Sequence, residues 1–519
     1  MKKYLALVAV IAVLSAAFLW QSRDFAVVAG SLHLSSSDPC KLSDLGQQRI
    51  LSCAYDTLFR PGNLPGELKA GLATAYSVSE DGLLWEFQLR PNVYFHNGEM
   101  LTGETASRAL NRLFVKDNYG RLQPSQAYPA AYAYLCGTGS VVSISGSGSK
   151  LSITLNRPIA DLGEILAQPG LSLALEDSGN CCGTGPYRLV ECRAGRAVFE
   201  RFEKNASILG YKRLVFIDVP DSSVRRNELA SGKVDAALEL SDRDADLLRD
   251  KFSVYREGGI ASLYLAVNCS KRPFSNIRNR IALQIALSKD KLVSEWFSEA
   301  MPADWLLPAG EQKICDKSKA KRLWERSGAD DKLIKLVYCR NAASSGNIDN
   351  LSKYLASELC QSGLKVVPAG LDYDDFWRCL GLGEYDMAVI LEEQPRSVPD
   401  IMFRLPLVRQ KGINIAHYSE DRLVRVLNMA RTVTDRAMRR DYYHKACEML
   451  AQDAVRAPLA EAVQYGASRK NAGYWQTNRL GCFEFSAFDP DFSSADNKFS
   501  DNSELEVFYD ILETDASDK

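Results

Sequence analysis

Histidine is scarce in this 519-residue chain, with His33, His96, His417 and His444 scattered along it. The thirteen cysteines include no Cys-x-x-Cys pair, so neither residue type falls at the spacing of a zinc site. No Gly-x-Ser-x-Gly elbow, no His-Glu-x-x-His and no Walker loop is present. The chain is therefore not expected to be an enzyme, and no cofactor is expected. Excess charge is lacking too: 63 Lys and Arg against 65 Asp and Glu leave a net charge of −2. That balance offers nothing to nucleic acid or to an anionic membrane surface. After the N-terminus there is no second long apolar run, so the rest of the chain is not expected to span a membrane. No internal repeat is visible.

What is there is ordinary globular material, 46% apolar and 25% charged, in a chain long enough for several domains. Its start is distinctive. Lys2 and Lys3 precede residues 4–20, apolar apart from Ser15, and the chain turns polar at Gln21. That is a secretory signal pattern, with Ser15-Ala16-Ala17 offering small residues for cleavage after Ala17. An uncleaved anchor is the alternative, since a stretch of about 17 residues reaches the lower limit for a span. The first cysteine is Cys40, so no lipobox is present and no lipid anchor is expected. The cysteines would then sit in an oxidising space, where an odd number leaves at least one unpaired. Cys40 and Cys53 could bridge a short loop. Adjacent Cys181 and Cys182 cannot easily bond each other in a relaxed trans geometry.

Two segments carry local signals. Trp85, Phe87 and Leu89 alternate with Glu86, Gln88 and Arg90, which predicts a half-buried strand after an Asp81-Gly82 turn. Residues 93–95 predict a second, short strand ending at Asn97-Gly98. Thr102 can cap a helix whose apolar face is Ala106, Ala109, Leu110, Leu113 and Phe114. Gly183-Thr184-Gly185-Pro186-Tyr187 reads as a tight loop entering a strand. It is no phosphate loop, because no Lys-Ser/Thr follows and no helix opens behind it. Val141, Val142 and Ile144, then Leu151, Ile153 and Leu155, flank a Gly/Ser-rich stretch and predict a hairpin. Residues 489–519 are acidic and are expected to fray.

Taken residue by residue, the segment from Leu72 to Phe114 and the Gly183–Glu191 stretch resemble the oligopeptide/dipeptide-binding family, the extracellular solute-binding proteins (family 5) of ABC importers. Ser36-Asp38-Pro39 with Tyr55-Asp56-Thr57-Leu58, the stretch from Asn227 to Ala237, Leu263 to Asn268, Phe274, and Tyr385-Asp386-Met387-Ala388 match in the same order. The likeness covers roughly residues 30–470. It implies an α/β, two-lobed periplasmic-binding-protein fold of class II type, with a third domain inserted in the first lobe. Mapped onto this chain, residues 1–25 are the signal peptide or anchor. Residues 26–59, 180–261 and 478–519 form lobe I, 60–179 the inserted domain and 262–477 lobe II.

The resemblance further implies a monomeric periplasmic receptor for peptides or peptide-like solutes, partnered by an ABC permease and ATPase. In the family an aspartate shortly after the Tyr-Asp-Met strand holds the peptide α-ammonium. An ungapped reading puts Pro395 at that aspartate, Glu392 at a tryptophan just before it and Pro399 on the family's proline. Glu392 or Glu393 could supply the missing carboxylate, only one of them facing the cleft. Otherwise the ligand lacks a free α-ammonium, or both glutamates are solvated. Tyr373 falls at an upstream aromatic. His33, Leu34 and Ser35 fall on the strand bordering the cleft, and Tyr128, Tyr132 and Tyr134 where the inserted domain reaches it. Asn268 ends the crossing strand, read first as a hinge residue capping a backbone group, and Asp386 reads as structural. Two alternatives keep the fold: a non-peptide ligand such as a metal chelate, haem or glutathione, or a transport-inactive, cysteine-rich envelope protein.

Overall fold

The structure, a computed structural model, describes residues 25–30, 34, 36–41, 45–61, 68–119, 121–125, 127–128, 135, 141–177, 179–193, 195–205, 211–296, 301–302, 315–340, 348–394, 414–418, 420–470, 475, 477–478 and 482–483. At residues 45, 257–262, 301–302, 391–394, 436 and 461–463 it describes the backbone only. The signal segment, residues 395–413 and the acidic tail lie outside it.

One mixed sheet runs through both lobes. In order along its main path the strands are Tyr187–Arg193, Arg196–Arg201, Arg213–Asp218, Phe25–Gly30, Ala236–Leu240, Arg456–Ser468, Ser253–Val267, Met387–Gln394, Leu333–Cys339 and Lys365–Leu371, with the short Met301–Pro302 pairing Arg456–Ser468 off that path. The two longest, Ser253–Val267 and Arg456–Ser468, are antiparallel partners and belong to both halves. Near one end they pair with the first lobe, Leu240 opposite Tyr465. From Ile260 onward they pair with the second, Ile260 opposite Gln394 and Val267 opposite Met387.

Between the halves the ladder breaks step. Arg256 is opposite Tyr465 and Ile260 opposite Val463, so Glu257, Gly258 and Gly259 face the single residue Gln464. Neither lobe's own strands pair with this stretch. Extra unpaired residues weaken the ladder and bend the strand, and two glycines add backbone freedom. This crossing is the mechanical link between the lobes.

The inserted domain has a core of its own around Trp85, Phe87, Leu89, Phe95, Leu110, Leu151, Ile153 and Leu155. Its four-stranded sheet orders Ala73–Val78, Leu84–Leu89, Lys150–Leu155 and Val141–Ser147. The predicted alternation holds in Leu84–Leu89, whose even positions are exposed and odd positions buried. Thr102 caps the Gly103–Asn111 helix in a capping box with Thr105. The helix stops short of Leu113 and Phe114, which bury beyond it. The short strand expected at residues 93–95 reduces to one bridge, Tyr94 with Met100. A tight turn displaces it: the Gly98 N–H donates to the Phe95 carbonyl at 2.8 Å, with Gly98 at φ +93°.

The two informative segments meet in space. The His96 backbone N–H donates to the Gly183 carbonyl and its ring Nε2 lies 2.9 Å from the Gly185 carbonyl. The glycines themselves seat against the turn after the Leu45–Leu51 helix. A Cβ on Gly185 would stand 2.5 Å from the Ala54 carbonyl carbon, and one on Gly183 2.0 Å from the Ala54 oxygen. These signature residues therefore build the joint between the first lobe and its insertion. Burial pushes the His96 pKa down, outweighing the Gly185 carbonyl and the Asp56 charge.

Asp38 ties the same joint from the N-terminal side. Its carboxylate accepts both Arg112 guanidinium nitrogens, at 2.6 and 2.9 Å. Burial would raise its pKa, but the Arg112 hydrogen bond and charge hold it below the usual carboxylate range. Cys40 and Cys53 are both free thiols. The suggested bridge is absent because Cys40 donates to the Ser172 carbonyl in the inserted domain's core, whereas Cys53 packs in the first lobe's.

Candidate functional site

Strand direction locates the site. In the first lobe Phe25–Gly30, Arg213–Asp218 and Ala236–Leu240 are mutually parallel, and their carboxyl ends point toward the crossing. In the second, Leu333–Cys339, Lys365–Leu371 and Met387–Gln394 are parallel, with Gln394 at the crossing. Both halves thus turn the carboxyl ends of parallel strands to one gap, where open α/β sheets bind ligands.

The first lobe's rim is polar and tightly held. Arg49 and Glu239 are both buried and lie 3.5 Å apart. Glu239 sits at φ +53°, in a register shift of its strand between Ala237 and Leu240. A non-glycine residue in that region stores strain, which clusters at functional sites. Arg225 donates to the Glu239 carbonyl and to the carbonyls of Val219 and Pro220, bracing two carboxyl ends at once. Asp221 and Ser241 cap the helices that follow, Ser222–Ala230 and Asp242–Asp246.

On the second lobe's rim, Tyr373 opens the Tyr373–Leu382 helix directly after strand Lys365–Leu371. Its ring is partly exposed and meets Trp377 edge-on at 6.2 Å. Arg340 lies beside it, 3.6 Å from Asp372 and donating to the Gly370 carbonyl. Strand register puts Glu393 opposite Ala261 and Glu392 opposite Ser262, within two residues of the crossing. Their side chains, together with Pro395 and Pro399, lie outside the described set, as do His33, Ser35, Tyr132 and Tyr134.

The remaining candidates are elsewhere. Leu34 packs half-buried on the first lobe's core. Tyr128 is buried in the inserted domain's core, with the Arg112 guanidinium 5.2 Å from its ring centre. Asn268 lies at the far end of its strand. It stands seven positions beyond Ala261, about 23 Å at strand rise. There it is fully buried, its amide donating to the Gly383 and Tyr385 carbonyls and accepting from Ser270. It caps backbone groups as read, but at the closed end of the lobe, so it is neither a hinge nor a cleft residue. Asp386 accepts Lys332 Nζ and the Lys335 N–H, a structural role. Among the described residues no group of His, Cys, Asp and Glu could hold a metal ion.

Sequence reading missed Arg49 and Glu239 on this rim. One signal was available for Glu239: it is the lone charge in the otherwise apolar strand Ala236–Leu240.

Comparison with known proteins agrees with this architecture. Residues 67–402 match the family model of bacterial extracellular solute-binding proteins, family 5 Middle. The glutathione-binding protein GsiB of Pectobacterium atrosepticum is 25% identical over 521 residues, covering 91% of this chain and 96% of that protein. Heme-binding protein A of Haemophilus influenzae is 24% identical, covering 79% of this chain and 82% of that one. Among solved structures, the dipeptide-binding protein of Pseudoalteromonas sp. SM9913 in complex with Met-Leu superimposes with a TM-score of 0.79 at 20% identity, covering 89% of this chain and 98% of that one.

Proposed function

This chain belongs to the bacterial extracellular solute-binding proteins of family 5, the receptors of ABC importers, and from that premise we propose that it captures short peptides or peptide-like solutes between its lobes. Residues 26–59, 180–261 and 478–519 act as one lobe, 60–179 as its insertion and 262–477 as the other. The observation that carries the reading is the crossing. Two strands shared by both halves lose register between Arg256 and Ile260, at the gap to which both sets of carboxyl ends point. Rotation there closes the lobes on a ligand. An extended peptide fits such a gap because its backbone can add to strand edges while its side chains occupy pockets.

The glutamates near the crossing deepen the reading. With Pro395 where the family carries its ammonium-binding aspartate, Glu392 or Glu393 supplies the carboxylate for a free α-ammonium. The placement is extracytoplasmic, as for the family. The N-terminal segment directs export to the periplasm and is removed after Ala17, and the closed protein docks on a permease driven by an ATPase. Among the described residues no helix is long and apolar enough to cross a membrane.

Native mass spectrometry of gently purified protein, then identification of what denaturation releases, tests this. A mixture of short peptides is expected. A single non-peptide compound would replace the peptide reading with that of a specialised binder, which the glutathione- and heme-binding relatives make the next choice.

A further inference from the structure

Gln464 is the only residue that its strand places between the last pairing of the first lobe, Tyr465 with Leu240 and Arg256, and the first pairing of the second, Val463 with Ile260. Opposite it run Glu257, Gly258 and Gly259, so glycine backbone leaves room on the facing strand. The side chain is 7% exposed, and its Nε2 finds no hydrogen-bond partner among the described residues. A buried amide donor without an acceptor is costly and rare, and calls for an explanation. Packing does not supply one, since methionine has nearly the same shape without the polar atoms.

We infer that the Gln464 carboxamide is a ligand-recognition group in the floor of the cleft, its N–H2 reserved for an oxygen acceptor of the bound solute, a peptide carbonyl or carboxylate. The assignment rests on the solute-binding reading above. It follows from position as well as chemistry. The neighbouring Tyr465 turns into the core beneath the first lobe's strands, and adjacent strand residues face opposite ways. Gln464 is thereby aligned with Gly466, which seats against the Tyr255 ring on the other face. A donor at the joint of the two lobes reads the one part of a peptide that does not vary with sequence, its backbone oxygen. It also couples occupancy to the hinge, because the strand that bends is the strand that binds.

The test separates binding from folding. Gln464→Met and Gln464→Glu are compared with wild type by calorimetric titration with the dipeptide Met-Leu and by melting of the ligand-free protein. The expected result is a loss of Met-Leu affinity of about tenfold for Gln464→Met, the worth of one hydrogen bond to a buried donor. Gln464→Glu should lose more, because a carboxylate repels the incoming oxygen. The ligand-free melting temperature of Gln464→Met should hold or rise. Unchanged affinity in both variants, or a lowered melting temperature that accounts for the loss, would overturn the assignment. Should wild type bind no Met-Leu, the peptide reading fails on its own. The small-molecule occupancy seen by native mass spectrometry then decides, with equal occupancy in wild type and Gln464→Met overturning the assignment and reduced occupancy in the variant upholding it.

Discussion

Asp161, just before the Leu162–Ile165 turn of the inserted domain, and Arg439, on the Arg436–Asp453 helix of the second lobe, form a buried ion pair at 2.5 Å. Tyr443 donates to the other carboxylate oxygen at 3.0 Å, and the Ala160 N–H donates to the Arg431 carbonyl alongside. The insertion therefore touches the second lobe directly, away from the strands that join the lobes. A buried pair contributes little net stability but fixes one geometry, and removing one partner strands the other. Asp161→Ala is expected to cost about 3–5 kcal/mol in urea unfolding. Asp161→Leu combined with Arg439→Met should cost far less than the sum of the single changes. Additive single and double costs would show that the two residues do not interact.

His96 gives an acid-sensitive joint. Burial lowers its pKa below the usual 6.5. As pH falls through 6.5 the unfolded chain takes up a proton that the folded chain refuses, so stability falls with pH in that window. His96→Gln should lose stability at pH 8 yet show a shallower decline below pH 6.5. Identical slopes for variant and wild type, measured by urea midpoints from pH 5 to 8, would contradict this.

Gly185→Ala forces a methyl against the Ala54 backbone, which cannot swing aside as a side chain can. The same glycine N–H donates to the Ala54 carbonyl at 2.9 Å. A loss of about 2 kcal/mol or more is expected from overpacking. Gly148→Ala is the control for the added methyl, since its Cβ would meet nothing within 4 Å, although its φ of +57° carries a smaller backbone cost.

The thiols divide by burial. Cys53 and Cys482 lie together under the first lobe, where burial pushes Cys53 well up and Cys482 to about 12. Cys192 and Cys360 are exposed. In reduced, folded protein at pH 8, iodoacetamide should modify Cys192 and Cys360 first and reach Cys53 and Cys482 only on unfolding. Modification of Cys53 at the rate of Cys360 would show that the segment around Cys482 does not cover it.

Local features were legible in the residues. The Leu84–Leu89 alternation, the Thr102 cap and the Val141–Leu155 hairpin each rest on neighbours within one element. What was not legible depends on residues far apart in the chain. Nothing near Gly185 announces His96, 89 positions away, and nothing near Arg49 announces Glu239, 190 positions away. The short strand expected at residues 93–95 failed because Asn92, at φ +57°, and Gly98, at φ +93°, hold the chain in successive turns on either side of it. Asn268 was misplaced because a motif gives the strand but not which end faces the cleft. Only the pairing register does that.

The most direct test is small-angle X-ray scattering of the full chain, stripped of small molecules by denaturation and refolding, before and after addition of the released small-molecule fraction. Closure at the Arg256–Ile260 crossing predicts a smaller radius of gyration on addition, and no change when Gly258 and Gly259 are both replaced by proline to stiffen the strand. An unchanged radius in wild type, with the small molecules bound, would contradict a receptor that works by lobe closure.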